Sequence, residues 1–309
     1  MLSAHRTQAQ QPGVDICLCS DPFSVSVFAM RISAIHMLPK PAHLVLTLAC
    51  IALVSQTPVQ AQTPAGQAGS GSQSANSPEV PDWALPGSAT HKQVPPPKDF
   101  HRATRSFDTP IGIFEGQSDI GGALVPGDAS YDASTKQYTV KSAGYNIWYT
   151  RDEFRYLWKK TSGDLSFAAN VAFLVPQDPP HDRKVVLVLR QDLEDDSKEI
   201  MAAEHGTGMV HLAQRPQKNE MIGDMQYRFG GSMLNGVLPQ RIGLEKRGDQ
   251  VALFISVKGE PMHQFGPPIE IHFDGPYYVG IGFCSHEPVT VDTGLFSDVL
   301  LENKAGDVH

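Results

Sequence analysis

Beyond residue 61 the sequence contains one cysteine, Cys284; the other three of its four, Cys17, Cys19 and Cys50, all lie before that point. A lone thiol cannot close an internal disulfide, so the domain must be held by its apolar core. His-Glu-x-x-His and closely spaced zinc pairs are also missing, and Cys17-x-Cys19 matches neither a zinc nor a redox motif. No stretch has the periodicity of a long amphipathic helix, the nearest candidate being Leu193–Ala203. Positive charge is scarce: 25 Lys and Arg stand against 33 Asp and Glu, a net charge of −8. No basic block interleaves with aromatics, which excludes a nucleic-acid partner. Long apolar runs are lacking too. The one between His43 and Ser55 is shorter than the roughly 20 residues a membrane span needs, so the mature chain is expected to have no transmembrane span.

That short run reads as an address. Met37-Leu-Pro-Lys40 supplies a basic start, LVLTLACIALV an apolar centre, and Val59-Gln60-Ala61 the small residues a signal peptidase reads. A signal peptide over 37–61 is therefore expected, with residues 1–36 an upstream extension before a true start at Met30 or Met37. The destination is the periplasm or the cell exterior. Residues 62–99 are rich in Gly, Ser, Gln, Ala and Pro and read as a disordered linker, with Pro95 to Pro97 favouring extended backbone and Trp83 a candidate docking residue. The folded domain is expected over 100–309.

From there on, short alternating runs follow one another with turn signals between them. The organising stretch is RKVVLVLRQDLEDDSKEIMAAEHGTGMVHLAQR, residues 183–215. It predicts strands over Val185–Leu189, Lys198–His205 and Met209–Arg215, the last two joined by Gly206-Thr207-Gly208. Further strands are predicted at Ile111–Glu115, Ala129–Tyr131, Gln137–Lys141, Tyr145–Tyr149, Phe154–Lys159, Leu165–Val175, Val251–Val257, Tyr277–Cys284 and Leu295–Leu301. Arg247-Gly248-Asp249-Gln250 is a hairpin turn. Period two places Phe154, Tyr156 and Trp158 on one face, as half of a sandwich core or as a stacking platform for sugar rings. The whole predicts an all-β, two-sheet jelly-roll sandwich.

The runs PGDASYDASTKQYTVKSAGYNIWYTRDEFRYLWKKTSGD, RKVVLVLRQDLEDDSKEIMAAEHGTG, RIGLEKRGD, GPYYVGIGFCSHEP and FSDV, in that order, resemble the bacterial concanavalin-A-like domains labelled "regulation of enolase" proteins. Those domains are often fused to TolB-type propellers, which this sequence does not contain. The resemblance spans about Phe114 to Glu302 and implies a concanavalin-A-like jelly roll and export, but no particular reaction.

Several constellations invite chemistry. Glu194-x-Asp196-x-x-Glu199 matches the carboxylate row of laminarinase-type glucanases, but its intervening positions, Asp195, Ser197 and Lys198, are too polar for a core-facing strand and indicate an acidic turn. Ser285-His286 with Asp298 lacks a nucleophile elbow. Asp119, Asp292 and Asp298, near the first and last strands, are a weak set for structural calcium by analogy with jelly rolls; no catalytic residue and no other metal or cofactor is assigned. What remains is a polar sheet face: Arg190, Glu204, His205, His211, Gln214, Arg215 and His286, with Gly280 and Gly282 leaving room above it. Planar donors and acceptors beside an aromatic surface suit a saccharide. The expected function is an exported non-catalytic module binding carbohydrate or another envelope component. The alternatives are a glycoside hydrolase on the same fold and a protein–protein interaction module.

Overall fold

The computed structural model describes residues 94–97, 100–175, 182–228 and 238–309. The expected upstream extension, the signal peptide, Trp83 and most of the linker lie outside the described residues. At the end of the linker stretch, the Val94 carbonyl accepts a hydrogen bond from the Tyr145 hydroxyl, and Val94 packs with Phe100 against that ring.

The described chain is an antiparallel two-sheet sandwich. Across the first sheet the strands run Arg105–Phe107, Gly116–Ile120, Phe154–Thr161, Tyr277–Cys284, Lys184–Arg190, Glu199–His205, Met209–Arg215 and Gly223–Arg228. The second runs His263–Gln264, Gln250–Val257, Pro239–Arg247, Leu165–Phe173, Asp292–Glu302, Gln137–Ser142 and Asp128–Asp132, with Ile269–Glu270 also on Gln250–Val257. No helix among the described residues is long and apolar enough to cross a membrane. Leu193–Ala203 forms a turn-rich loop that runs into a strand.

The organising stretch lies at the middle of the first sheet. Lys184–Arg190 pairs with Tyr277–Cys284 on one side and Glu199–His205 on the other, which explains its unbroken apolar run. Alternation sends Val185, Leu187, Leu189, Ile200, Ala202, Val210 and Leu212 between the sheets, against Phe167, Ile242, Leu244, Leu253 and Phe296. Gly208, at φ +80°, takes the left-handed conformation that closes the hairpin between Glu199–His205 and Met209–Arg215.

The first sheet also has an apolar outer face. Phe154, Tyr156, Trp158, Val186, Val188, Met201, Ala203 and Cys284 form a second cluster there. It is covered by residues 143–153, which include a short hairpin, Ile147–Trp148 with Arg151–Asp152, and by residues 191–198 and 216–222. The aromatic triplet is thus core, but core of this outer layer. The Tyr156 hydroxyl donates to the Val188 carbonyl at 3.1 Å, and Trp158 Nε1 to Ser118 Oγ at 2.9 Å.

Candidate functional site

Strand parity divides the predicted polar face. Lys184, Arg190, Glu199, His205, His211 and Arg215 alternate with the inter-sheet residues and so share the outer face. Glu204 and Gln214 do not. Glu204 is paired across the sheet with Val185 and Val210, both in the inter-sheet core, and Gln214 follows Leu212 on that side. Glu204 is 2% exposed with Oε2 lacking a hydrogen-bond partner, so burial pushes its carboxyl well above the usual range. Both residues are removed from the face the sequence reading gave them.

Arg190 and Arg215 are on the right face but closed to ligand, each fully buried. Arg190 Nη1 donates to Asp152 Oδ2 at 2.7 Å and also to Glu199 Oε2. Arg215 holds both oxygens of Asp152, at 2.6 and 2.8 Å, and lies 3.4 Å from Glu199. Two guanidiniums and two carboxylates balance in this buried quartet when both acids are ionised, although burial pushes the Glu199 carboxyl up to about 7 against the pull of Arg190. Its effect is positional. Asp152 is the end of the short covering hairpin, so the quartet pins residues 147–152 onto the sheet. Arg215 Nε also donates to the Glu220 carbonyl at 3.2 Å, and Ile222 N to the Tyr149 carbonyl at 3.1 Å.

Beside this anchor lies a cavity of about 240 Å³ lined by Asn146, Trp148, Tyr149, Asp182, Lys184, His205, Met209, His211 and His286. Three predicted residues, His205, His211 and His286, meet here. Lys184 Nζ, paired across the sheet with His205, donates to Asn146 Oδ1 at 2.8 Å and the Ile147 carbonyl at 3.3 Å. The Trp148 indole stacks on His211 with centroids 5.6 Å apart and planes 12° from parallel. Nε2 of His205 and Nε2 of His211 are 3.4 Å apart. Behind them His211 Nδ1 is 3.1 Å from Asp224 Oδ2, whereas His205 Nδ1 is 3.5 Å from Asp182 Oδ1, too far for a good hydrogen bond, and has no hydrogen-bond partner. Burial, reinforced by the Lys184 charge, pulls His205 down to about 3, and burial also lowers His211. Contact with His205 pulls Asp182 down to about 2. Both imidazoles are therefore neutral at neutral pH, between two carboxylates and one ammonium.

Asn146, Trp148, Tyr149, Asp182 and Lys184 were missed in the sequence. The covering hairpin reads as an ordinary strand, Tyr145–Tyr149, and Lys184 as the polar boundary of an apolar run. Only the period-two match of Lys184 with His205 and His211 offered a signal.

The other constellations do not form sites. Glu194-Asp195-Asp196 lies in the loop before Glu199–His205, while Glu199 belongs to the quartet, so the three acids share no cleft row. Ser285 Oγ donates to the Glu287 carbonyl at 2.9 Å within its own turn, and Asp298 accepts from Asn170 on the second sheet. Asp119 and Asp292 are each bound to an arginine, Arg155 at 3.1 Å and Arg183 at 2.7 Å. Gly280 and Gly282 do not open space above the sheet. A Cβ on Gly280 would lie 2.8 Å from the Tyr156 ring, and one on Gly282 2.6 Å from the Phe154 ring. The chain's own aromatics fill the gap.

No family model matches the chain, and no curated protein matches it significantly. Solved structures similar to it include a functionally unknown protein from Saccharomyces cerevisiae, at TM-score 0.45 and 13% identity over 66% of this chain and 97% of that one. A legume lectin-like domain from Entamoeba histolytica scores 0.36 at 12% identity, over 66% of this chain and 90% of that one. An alginate lyase from Klebsiella pneumoniae scores 0.35 at 10% identity, over 58% and 84%.

Proposed function

We propose that this chain is an exported, non-catalytic β-sandwich module that binds carbohydrate, with the cavity under Trp148 as its binding site. The observation that carries the reading is convergence. In one pocket Trp148 and Tyr149 offer aromatic surface, and Asn146, Lys184, Asp182 and the histidines offer donors and acceptors at fixed positions. A sugar ring presents the matching combination, a C–H face with hydroxyls around its edge. The volume of about 240 Å³ lies just below the roughly 300–1,000 Å³ usual for ligand pockets, which favours a single ring or a chain end over an extended polymer. The kinship with concanavalin-A-like "regulation of enolase" domains belongs to the same proposal.

A glycan array probed with the protein and with Trp148→Ala and Asn146→Ala tests it. The proposal expects a defined set of saccharides whose signal drops in both variants. Silence across a broad array, or binding indifferent to both changes, overturns it.

A further inference from the structure

Lys184 lines the pocket from the sheet side, 2% exposed, and forms no salt bridge among the described residues. The buried arginines are all matched: Arg190 and Arg215 by Asp152 and Glu199, Arg151 by Glu153 and Asp195, Arg155 by Asp119, Arg183 by Asp292. Lys246, the other buried lysine, reaches the Gly248 carbonyl of an exposed hairpin turn. Lys184 has neither a carboxylate nor an exposed turn. An ammonium has three protons to give. Two go to Asn146 Oδ1 and the Ile147 carbonyl, and the third meets no acceptor among the described residues. The Trp148 ring, 5.6 Å from Nζ, adds only the weak attraction of a π face. Burial accordingly lowers the Lys184 pKa from its usual value. A buried charge left in this state is costly to keep unless an incoming group meets it. The backbone around the cavity is strained as well. Tyr149 at φ +54° and His286 at φ +66°, two of the six non-glycine residues with left-handed backbone among those described, both line it.

We propose that the saccharide taken by this pocket is an acidic one, a uronic acid unit whose carboxylate accepts the third proton of Lys184. This rests on the carbohydrate reading and narrows it. The surroundings leave the ammonium as the charge a ligand meets first. His205 and His211 are neutral, and Asp224 is on the Nδ1 side of His211, away from the Nε2 that meets His205. Asp182 is the one carboxylate in the lining, and its side chain is 54% exposed, so water screens it far more than it screens the buried ammonium. A single ammonium, with two neutral acceptors already on it, matches a monoanion better than a phosphate dianion. Volume agrees: about 240 Å³ holds one ring, and a carboxylate in place of a hydroxymethyl group adds almost nothing to it.

The test is calorimetric titration of the full chain with glucuronate, galacturonate and mannuronate, each beside the neutral sugar of the same configuration, and with acetate. Wild type is expected to bind at least one uronate about 10- to 100-fold more tightly than its neutral counterpart. Lys184→Met should bring that uronate down to the affinity of the neutral sugar. If the variant does not fold, the wild-type comparison of acid with neutral sugar carries the test alone. Neutral sugars bound as tightly as uronates, or a preference that survives in Lys184→Met, overturn the acidic-sugar proposal and leave the carbohydrate reading standing. Acetate bound as tightly as any uronate also overturns it, since the ring would then contribute nothing. Silence toward every sugar, acidic or neutral, here and on the glycan array, overturns both.

Discussion

Glu204 and His205 are neighbours in the chain and face opposite sides of the first sheet, Glu204 into the inter-sheet core and His205 into the pocket. That single step of strand parity separates a pocket-lining imidazole from a buried carboxyl whose Oε2 has no hydrogen-bond partner.

It has a pH signature. Burial raises the Glu204 carboxyl well above 4.5, so the folded chain keeps a proton that the unfolded chain releases above that pH. By linkage its contribution to stability declines as pH rises from about 4.5 toward the raised value, by up to about 1.4 kcal/mol per pH unit. Glu204→Gln removes the term. Denaturant melts at pH 5 and pH 8 should show the variant gaining on wild type at the higher pH. Equal pH slopes in the two proteins would show that Glu204 is ionised or solvated in the folded state.

The buried quartet should be costly to unbalance. Asp152→Asn leaves two buried guanidiniums facing one carboxylate, and losing one partner of a buried pair costs about 3–5 kcal/mol. A large fall in stability, with weaker ligand binding because Trp148 and Tyr149 lose their anchor, is the expected outcome. A loss under about 1 kcal/mol would mean the quartet is hydrated.

The sequence made most strands legible. Period two gave Phe154–Lys159, Met209–Arg215 and Tyr277–Cys284 within a residue or two, and glycine marked the turns at 206–208 and 248. It could not show what covers the outer face of the first sheet, because a run such as Val185–Leu189 reads the same whether a second sheet or a folded-over loop lies on it. The site was half legible for that reason. His205, His211 and His286 do meet, but Arg190 and Arg215 look like ligand-binding groups until Asp152, about 40 to 60 residues away in sequence, is seen to neutralise them. Asn146 and Trp148 come from the covering hairpin, whose docking is a tertiary fact.

Cys284 tests the outer layer directly. It is fully buried beside Lys184, and burial pushes its thiol up to about 12. The thiolate is the reactive form, so a thiol reagent at pH 8 should label the native protein only on the timescale of opening and label it fully in denaturant. Rapid labelling of native protein would show that residues 143–153 do not stay closed over the sheet.

Processing is checked independently. Export is expected to leave an N-terminus near Gln62, read by N-terminal sequencing of secreted protein. A secreted form that retains residues before Met30 would contradict it.

Ligand binding in the pocket under Trp148 admits a direct test. The direct measurement is calorimetric titration of the best saccharide from the array into wild type, Trp148→Ala and Lys184→Met, each shown folded by its melt. Losing one charged hydrogen bond is worth about 1.5–3 kcal/mol, on the order of ten- to hundredfold in affinity. Lys184→Met is expected to weaken binding by that factor, and Trp148→Ala by at least several-fold. Affinities within twofold of wild type in both variants would place the ligand elsewhere on the sandwich.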